Sequence, residues 1–124
     1  MPAYGDSFSP PAPIARVSLR HPGSSLTVSD VPMLIDSGAD VTLLPRSSVD
    51  LLGLEIALDQ TYELKSFDGS TSISNAVELD LIFLQKAFKG RFLLMNEKCG
   101  LLGRDVLNHI ALTLDGPHLT WDGG

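Results

Sequence analysis

The chain has little cysteine, few aromatic residues and a shortage of basic side chains. Its 124 residues include a single cysteine, Cys99, so no disulfide can form within the chain. Lys and Arg number 9 against 15 Asp and Glu, which gives a net charge of −6. This balance disfavours nucleic acid and anionic membranes as partners, because binding phosphate requires a basic surface. No apolar run is long enough to span a bilayer without an interrupting Asp or Lys.

Metal ligands are also scarce. His21, His109 and His118 are scattered along the chain without the spacing typical of metal ligands. Cys99 is interpreted as a small packed hydrophobic residue rather than a nucleophile. We therefore expect no metal and no cofactor.

The length predicts a single domain, and 44% hydrophobic residues is ordinary for a globular fold. Residues 1–13 are rich in Pro, Ser and Ala and predict a flexible N-terminal tail, followed by one domain over residues 14–124. The tail lacks the basic start and apolar core of a secretory signal. With neither a signal peptide nor a membrane segment seen, we expect a cytoplasmic location.

Short alternating segments separated by turn residues predict many strands. The candidate strands are residues 14–19, 26–35, 41–44, 61–66, 70–74, 76–84, 89–95, 110–114 and 118–121. Pro45 can open a short helix over residues 46–52, and residues 104–108 allow about one helical turn. This pattern predicts a mostly-β domain, a small closed β-barrel with one or two short helices.

The most informative motif is Asp36-Ser37-Gly38-Ala39, which directly follows the apolar run Val31–Ile35. An acidic residue at the end of a buried strand emerges in a partly dry place, where its environment can tune its protonation. A glycine two residues later lets backbone and substrate approach closely. The alternative is a solvated Asp in an ordinary Asx turn.

A second motif lies downstream in Gly100–Leu107, where two leucines precede Gly103-Arg104-Asp105. Together, the two motifs resemble those of the retropepsin-like aspartic proteases, the family of the retroviral proteases and their single-domain relatives. The resemblance covers roughly residues 14–121. It implies a small closed barrel of the retropepsin type, and it implies a homodimer.

Hydrolysis by this route needs two carboxylates about 3 Å apart that share one proton. The chain holds only one Asp-Ser-Gly, so the second carboxylate must be Asp36 of another copy across a two-fold axis. The resemblance therefore implies an aspartic endopeptidase whose water is activated by two Asp36 carboxylates. One alternative is a catalytically silent peptide-binding or dimerisation module with the same fold. Another is a protease domain of a larger protein, inactive until partners bring two copies together.

The resemblance also implies roles for the neighbours of Asp36. Residues expected to support the active-site loop are Ser37, Gly38, Ala39, Asp40 and Arg104. Asp40 is expected to form an ion pair with Arg104, the alternative being two independent surface charges.

A hairpin with its turn at Asp68-Gly69 falls where the family carries a flap that closes over an extended peptide. Residues expected to contact a peptide or protein substrate are Gly38, Asp40, Leu43, Phe67, Asp68, Gly69, Ser70 and Leu101. Leu34 is a further expected pocket wall, although core packing accounts for it equally well. In this family the termini commonly form an intersubunit sheet, for which the candidates are residues 14–19 and 118–121. Trp121 is expected to be a core or interface anchor.

Overall fold

The computed structural model describes residues 2–54, 57–65 and 69–123. The strands are β1 (Tyr4–Gly5), β2 (Ala12–Arg20), β3 (Thr27–Ile35), β4 (Leu43–Pro45), β5 (Ala57–Lys65), β6 (Thr71–Phe83), β7 (Lys86–Met95), β8 (Gly100–Leu102), β9 (Leu112–Asp115) and β10 (Thr120–Gly123). The helices are α1 (Arg46–Asp50) and α2 (Arg104–Leu107).

Six of the strands close into a barrel. The order is β2-β3-β8-β4-β7-β6, and a further pairing between β2 and β6 joins the two ends. The pairings β3–β8 and β4–β7 are parallel, and the other pairs in the barrel are antiparallel. Strands β1 and β5 flank this ring. The prediction of a mostly-β domain with a small closed barrel and one or two short helices is confirmed, and the helices number two in the described part.

The barrel interior is filled by the alternating apolar side chains of its strands. In β2, Ala15, Val17 and Leu19 are at most 1% exposed, and Arg16 between them points to solvent. Val31 and Met33 repeat this pattern in β3. A period of two places every second side chain on the same face of a strand, and burying each Leu or Val contributes about 1.5–3 kcal/mol.

The β6–β7 hairpin is tighter than the sequence predicted. Its strands were expected to be joined through residues 85–88, but β7 already begins at Lys86. Leu84 and Gln85 alone form the turn, with positive φ angles of 51° and 65°. Two positive φ angles match the twist of a hairpin, and Asn or Gly usually supplies them. The sequence pattern missed the turn because neither residue type is present.

The N-terminal segment is paired well before residue 14, where the domain was expected to begin. Tyr4 and Gly5 lie opposite Pro13 and Ala12. The Tyr4 amide donates to the Leu119 carbonyl oxygen at 2.8 Å. The composition of residues 1–13 predicted a flexible tail, because it did not reveal these partners near the other end of the chain.

The last two strands form a hairpin that packs on the barrel. Trp121 is 3% exposed, and its ring centroid lies 5.9 Å from that of Phe83. The indole nitrogen donates to the Ile14 carbonyl oxygen at 3.0 Å. Trp121 is therefore a core residue. Strand β2, one of the two expected intersubunit strands, is instead an inner barrel strand that pairs with β3 and β6.

Within the described ranges, none of the helices has the length and apolar character needed to cross a membrane.

Candidate active site

Asp36 lies where β3 ends against β8. The two strands run parallel, with Ile35 opposite Leu102, and the Asp36 amide donates to the Leu102 carbonyl oxygen at 3.1 Å. This bond continues the pairing one residue beyond the strand and fixes the backbone of Asp36. The side chain is half-buried. The predicted position, a carboxyl group emerging at the end of an apolar strand, is therefore observed.

The residues after Asp36 form a tight turn. The Asp36 carboxylate accepts the Gly38 amide at 3.0 Å, and the Asp36 carbonyl oxygen accepts the Ala39 amide at 3.1 Å. Ser37 and Gly38 are exposed at the tip of this turn. Such an Asx turn also occurs at ordinary solvated aspartates. The turn therefore does not by itself distinguish a catalytic Asp from a structural one.

The second motif packs closely under this loop. The Arg104 amide donates to the Ala39 carbonyl oxygen at 2.8 Å. A Cβ atom on the buried Gly103 would come within 2.5 Å of the Val41 carbonyl group. Real Cβ atoms do not approach backbone this closely. Glycine at position 103 thus lets the two loops cross.

Thr42 and Asp105 hold the crossing together, and the sequence pattern predicted a role for neither. The Thr42 hydroxyl donates to Asp105 Oδ1 at 2.6 Å, and the Thr42 amide donates to Oδ2 at 3.1 Å. The same hydroxyl oxygen accepts the Gly103 amide at 3.0 Å. Thr42 is 1% exposed. A hydroxyl within the apolar run 41–44 was the available signal, because a buried polar group needs a partner.

Arg104 contacts the Asp36 loop differently from the prediction. Its guanidinium Nη1 donates to the Ser37 carbonyl oxygen at 2.8 Å. The ion pairs within the described ranges are Arg20–Asp80, Arg91–Glu78 and His118–Asp115. None joins Asp40 to Arg104, so the predicted ion pair is not formed. Both side chains are exposed, and a solvated ion pair gains little over separate hydration.

A cavity of about 630 Å³ opens beside the β3–β8 junction. Leu34 and Leu101, which face each other across the two strands, both line it. Phe8 adds a wall from the N-terminal segment, a contact that the composition of residues 1–13 did not predict. Cys99 lies in the same lining, where burial raises the pKa of its thiol. The thiol is therefore protonated at neutral pH, as expected for a packing residue.

Leu43, the other expected pocket residue on this side, lies in β4 opposite Leu101. The residues lining the 630 Å³ cavity within the described ranges do not include Leu43. Its partial burial comes from the strand pairing around it. The structure thus brings Leu34 and Leu101 to one cavity and places Leu43 beside it in the sheet.

The expected flap corresponds to the β5–β6 hairpin. The two strands are antiparallel, with Lys65 opposite Thr71 at the end nearest the turn. Phe67 and Asp68 lie outside the described residues. Gly69 and Ser70 are exposed. Gly69 has a φ of 84°, a conformation that glycine adopts readily in turns because it has no Cβ atom.

The carboxylate of Asp36 has few partners in one copy of the chain. Across the described ranges, the Gly38 amide is the only donor to it. Asp40 is exposed, and the carboxylate of Asp105 is occupied by Thr42. No cluster of three or more His, Cys, Asp or Glu residues in the described part could hold a metal ion. Within the described residues, the one hydrogen bond to the Asp36 carboxylate therefore comes from its own turn.

Comparison with known proteins supports the fold through structure alone. No family model matches the chain, and no curated protein matches it. Among solved structures, the chain is similar to the EIAV protease complexed with the inhibitor HBY-793, with a TM-score of 0.58. The match has 19% sequence identity and covers 79% of this chain and 86% of the viral protease chain. The fold is thus that of a retroviral protease.

Proposed function

We propose that the chain is an aspartic endopeptidase that hydrolyses peptide bonds as a homodimer, with Asp36 of each copy contributing one catalytic carboxyl group. The observation that carries the proposal is the position of Asp36. Its backbone is fixed by the Leu102 carbonyl, in a fold like that of a retroviral protease. Its carboxylate accepts one hydrogen bond from the described part of the chain and is otherwise free for substrate and a second carboxyl group.

The chemistry requires two carboxyl groups that share one proton, because like charges so close cannot both ionise. The ionised Asp36 takes a proton from water as the water oxygen bonds to the scissile carbonyl carbon. The protonated Asp36 of the other copy donates its proton to the carbonyl oxygen. The carboxyl group that took the water proton then donates it to the leaving nitrogen, the C–N bond breaks, and a hydroxyl of the gem-diol returns its proton to the other, ionised carboxyl group. Activity is expected to be highest at mildly acidic pH and to fall as the shared proton is lost.

The substrate is an extended peptide with apolar side chains next to the cleaved bond. Leu34, Leu101 and Phe8 line the cavity at the β3–β8 junction, which would accept such a side chain. The β5–β6 hairpin, with Gly69 and Ser70 at the described end of its turn, would close over the peptide as a flap. Gly38 and Asp40, which are both exposed, would meet the peptide backbone, and Leu43 would support the pocket from β4.

The test compares cleavage of a diverse peptide pool by the wild type and Asp36→Asn, from acidic to neutral pH and at several protein concentrations. Cleavage that requires Asp36 and rises faster than linearly with concentration is the expected result. Asp50→Asn is a matched control, because Asp50 is exposed, undergoes the same change of charge and lies in α1, outside the proposed site.

A peptide-binding module that does not cleave is the second candidate, because each copy has a single Asp-Ser-Gly carboxyl group, that of Asp36. Peptide binding by a folded, dimeric sample that is unchanged in Asp36→Asn, without any cleavage by the wild type, would favour it.

A further inference from the structure

The wall of the barrel has a gap beside the first half of β7. On one side, β7 pairs with β6 along residues 86–93. On its other side it pairs with β4, which is three residues long and reaches only Leu93 to Met95. Within the described ranges, no strand pairs with this outer edge over residues 86–92. Such an edge is a template for pairing with another extended chain.

A groove of about 780 Å³ follows this edge, and residues 86–92 of β7 all line it. Successive side chains of a strand point to opposite faces, so consecutive residues share one groove along the edge of the strand. The opposite wall comes from α2 and the turn after it, through Asp105, Val106 and His109. The groove therefore lies where a further strand of the barrel wall would lie.

The two faces of β7 give this groove two kinds of lining. Phe88 packs against the core and Phe92 is 6% exposed, so both belong to the inner face of the strand. Lys89 and Arg91 alternate with them and therefore belong to the outer face, where both are exposed. A strand added at this edge would have apolar neighbours on one face and cations on the other.

The positive charge of β7 is only partly compensated. The strand contains Lys86, Lys89 and Arg91 and no acidic residue, in a chain with a net charge of −6. Arg91 pairs with Glu78 at 3.2 Å, and both side chains are exposed. Lys86 donates to the backbone carbonyl oxygen of His109 at 3.2 Å, which leaves its charge in place. In the part of the chain that the structure describes, no carboxylate pairs with either lysine.

Two other carboxylates near the groove are already engaged. Asp80 lies opposite Lys89 in the sheet, but its carboxylate pairs with Arg20 at 3.0 Å. Asp105 lines the groove, and both of its carboxylate oxygens accept hydrogen bonds from Thr42. The edge of β7 therefore presents cations to any chain that approaches it.

We infer that this groove binds an extended acidic segment of a partner protein, which adds to β7 as a strand. Backbone hydrogen bonds would supply affinity, and the alternating side chains would supply specificity. Acidic residues of the segment would lie beside Lys89 and Arg91, and the apolar residues between them would lie beside Phe88. The inference does not depend on cleavage at Asp36.

The charge of the edge decides between occupants. Lysines on an edge strand discourage the addition of most chains, and they favour a chain of opposite charge. A second copy that added its own β7 would set cations against cations, which is unfavourable. An acidic segment meets neither obstacle.

The first experiment measures binding of a fluorescein-labelled peptide in which Glu and Val alternate, by fluorescence anisotropy at low and at physiological ionic strength. We expect the wild type and Asp36→Asn to bind it equally, because Asp36 is not among the residues that line the groove. Binding should weaken as the salt concentration rises, since exposed charges are screened. A peptide with Lys in place of Glu should not bind.

Lys89→Glu should raise the dissociation constant of the Glu–Val peptide at least about tenfold, because it replaces an attraction by a repulsion. Arg16→Glu is the matched control, because Arg16 is exposed on β2 and undergoes the same change of charge. It should leave the dissociation constant nearly unchanged. The emission of Trp121 checks that both variants are folded.

The second experiment locates the peptide without any substitution. Amides in the first half of β7 that exchange rapidly in the free protein should exchange at least about tenfold more slowly with the peptide bound, because strand addition gives them acceptors. Amide exchange followed by NMR measures this residue by residue. If Lys89→Glu fails to fold, this measurement decides the question.

An acidic peptide that does not bind at low ionic strength, or that binds Lys89→Glu as well as the wild type, would overturn the inference. Binding without slower exchange in β7 would also overturn it. Equal binding of a single-stranded oligonucleotide would indicate a general surface for polyanions instead. Self-association of the wild type that Lys89→Glu abolishes would assign the groove to a second copy. In each case, cleavage that depends on Asp36 would leave the proposed function standing.

Discussion

Two aspartates at the same loop crossing are held in opposite ways. Asp105 accepts three hydrogen bonds, from the Thr42 amide, the Thr42 hydroxyl and the Val106 amide. The carboxylate of Asp36 accepts one within the described ranges, from Gly38. A carboxylate that accepts several hydrogen bonds stabilises the fold, whereas a carboxylate with an oxygen that accepts none can still bind water or a substrate. The difference separates the support of the site from the group that we propose reacts.

The largest expected effect is on the reactive side of this comparison. Asp36→Asn should reduce peptide cleavage by at least about three orders of magnitude, because the amide cannot act as the base. The free energy of unfolding should change little, since the Asn side chain can still accept the Gly38 amide. Steady-state cleavage and urea unfolding of the same preparation check both parts. A lower free energy of unfolding in Asp36→Asn would instead mean that Asp36 stabilises the fold, as Asp105 does.

Removing the Thr42 hydroxyl, which donates to Asp105, should lower the stability of the fold. Thr42→Val keeps the shape but leaves the Asp105 carboxylate and the Gly103 amide without their shared partner. We expect a loss of about 2–3 kcal/mol in the free energy of unfolding, measured in urea. Thr42→Ser retains the hydroxyl and is the control. Equal losses in the two variants would mean that the methyl group matters, not the hydrogen bond.

Gly103→Ala tests the closeness of the crossing itself. The added Cβ would meet the Val41 backbone at 2.5 Å, and backbone cannot move aside as a flexible side chain can. We expect a loss of about 1–3 kcal/mol in the free energy of unfolding. Gly90→Ala is the matched control, because its Cβ would enter open space. If both variants unfold at the same urea concentration, the two loops are not tightly packed.

The smallest expected effect concerns Arg104. Its guanidinium is exposed and donates to the Ser37 carbonyl, so Arg104→Ala should cost about 0.5–1 kcal/mol of unfolding free energy. Asp40→Asn should cost less, because no ion pair joins Asp40 to Arg104 in the described part. A double-mutant cycle of the two positions should give a coupling energy near zero. A coupling energy clearly different from zero would support the Asp40–Arg104 ion pair that the sequence predicted.

Local patterns in the sequence predicted much of this architecture. The alternation in β2 identified a half-buried strand, and the apolar run before Asp36 placed that residue at a strand end. These features depend on periodicity within a few residues, which a single sequence displays. The position of the candidate catalytic residue was therefore predictable.

Features that depend on distant partners were not predictable in the same way. Thr42 and Asp105 are 63 residues apart, and neither has a local pattern that identifies the other. Phe8 reaches the cavity because the N-terminus pairs with β2 and β10, which its composition does not reveal. Arg104 was given a plausible charged partner, but its position beside the Ser37 carbonyl follows from the loop crossing.

The crossing also has a consequence for when the site can form. The hydrogen bond between Thr42 and Asp105 joins residues 63 positions apart and closes a loop that contains most of the barrel strands. The parallel pairing of β3 cannot form until β8 is present. Contacts between residues so far apart form late in folding, because the loop entropy is lost before the contacts compensate. During synthesis, a chain that ends before β8 carries Asp36 without its support. The order of synthesis thus delays the candidate site until β8 has been made.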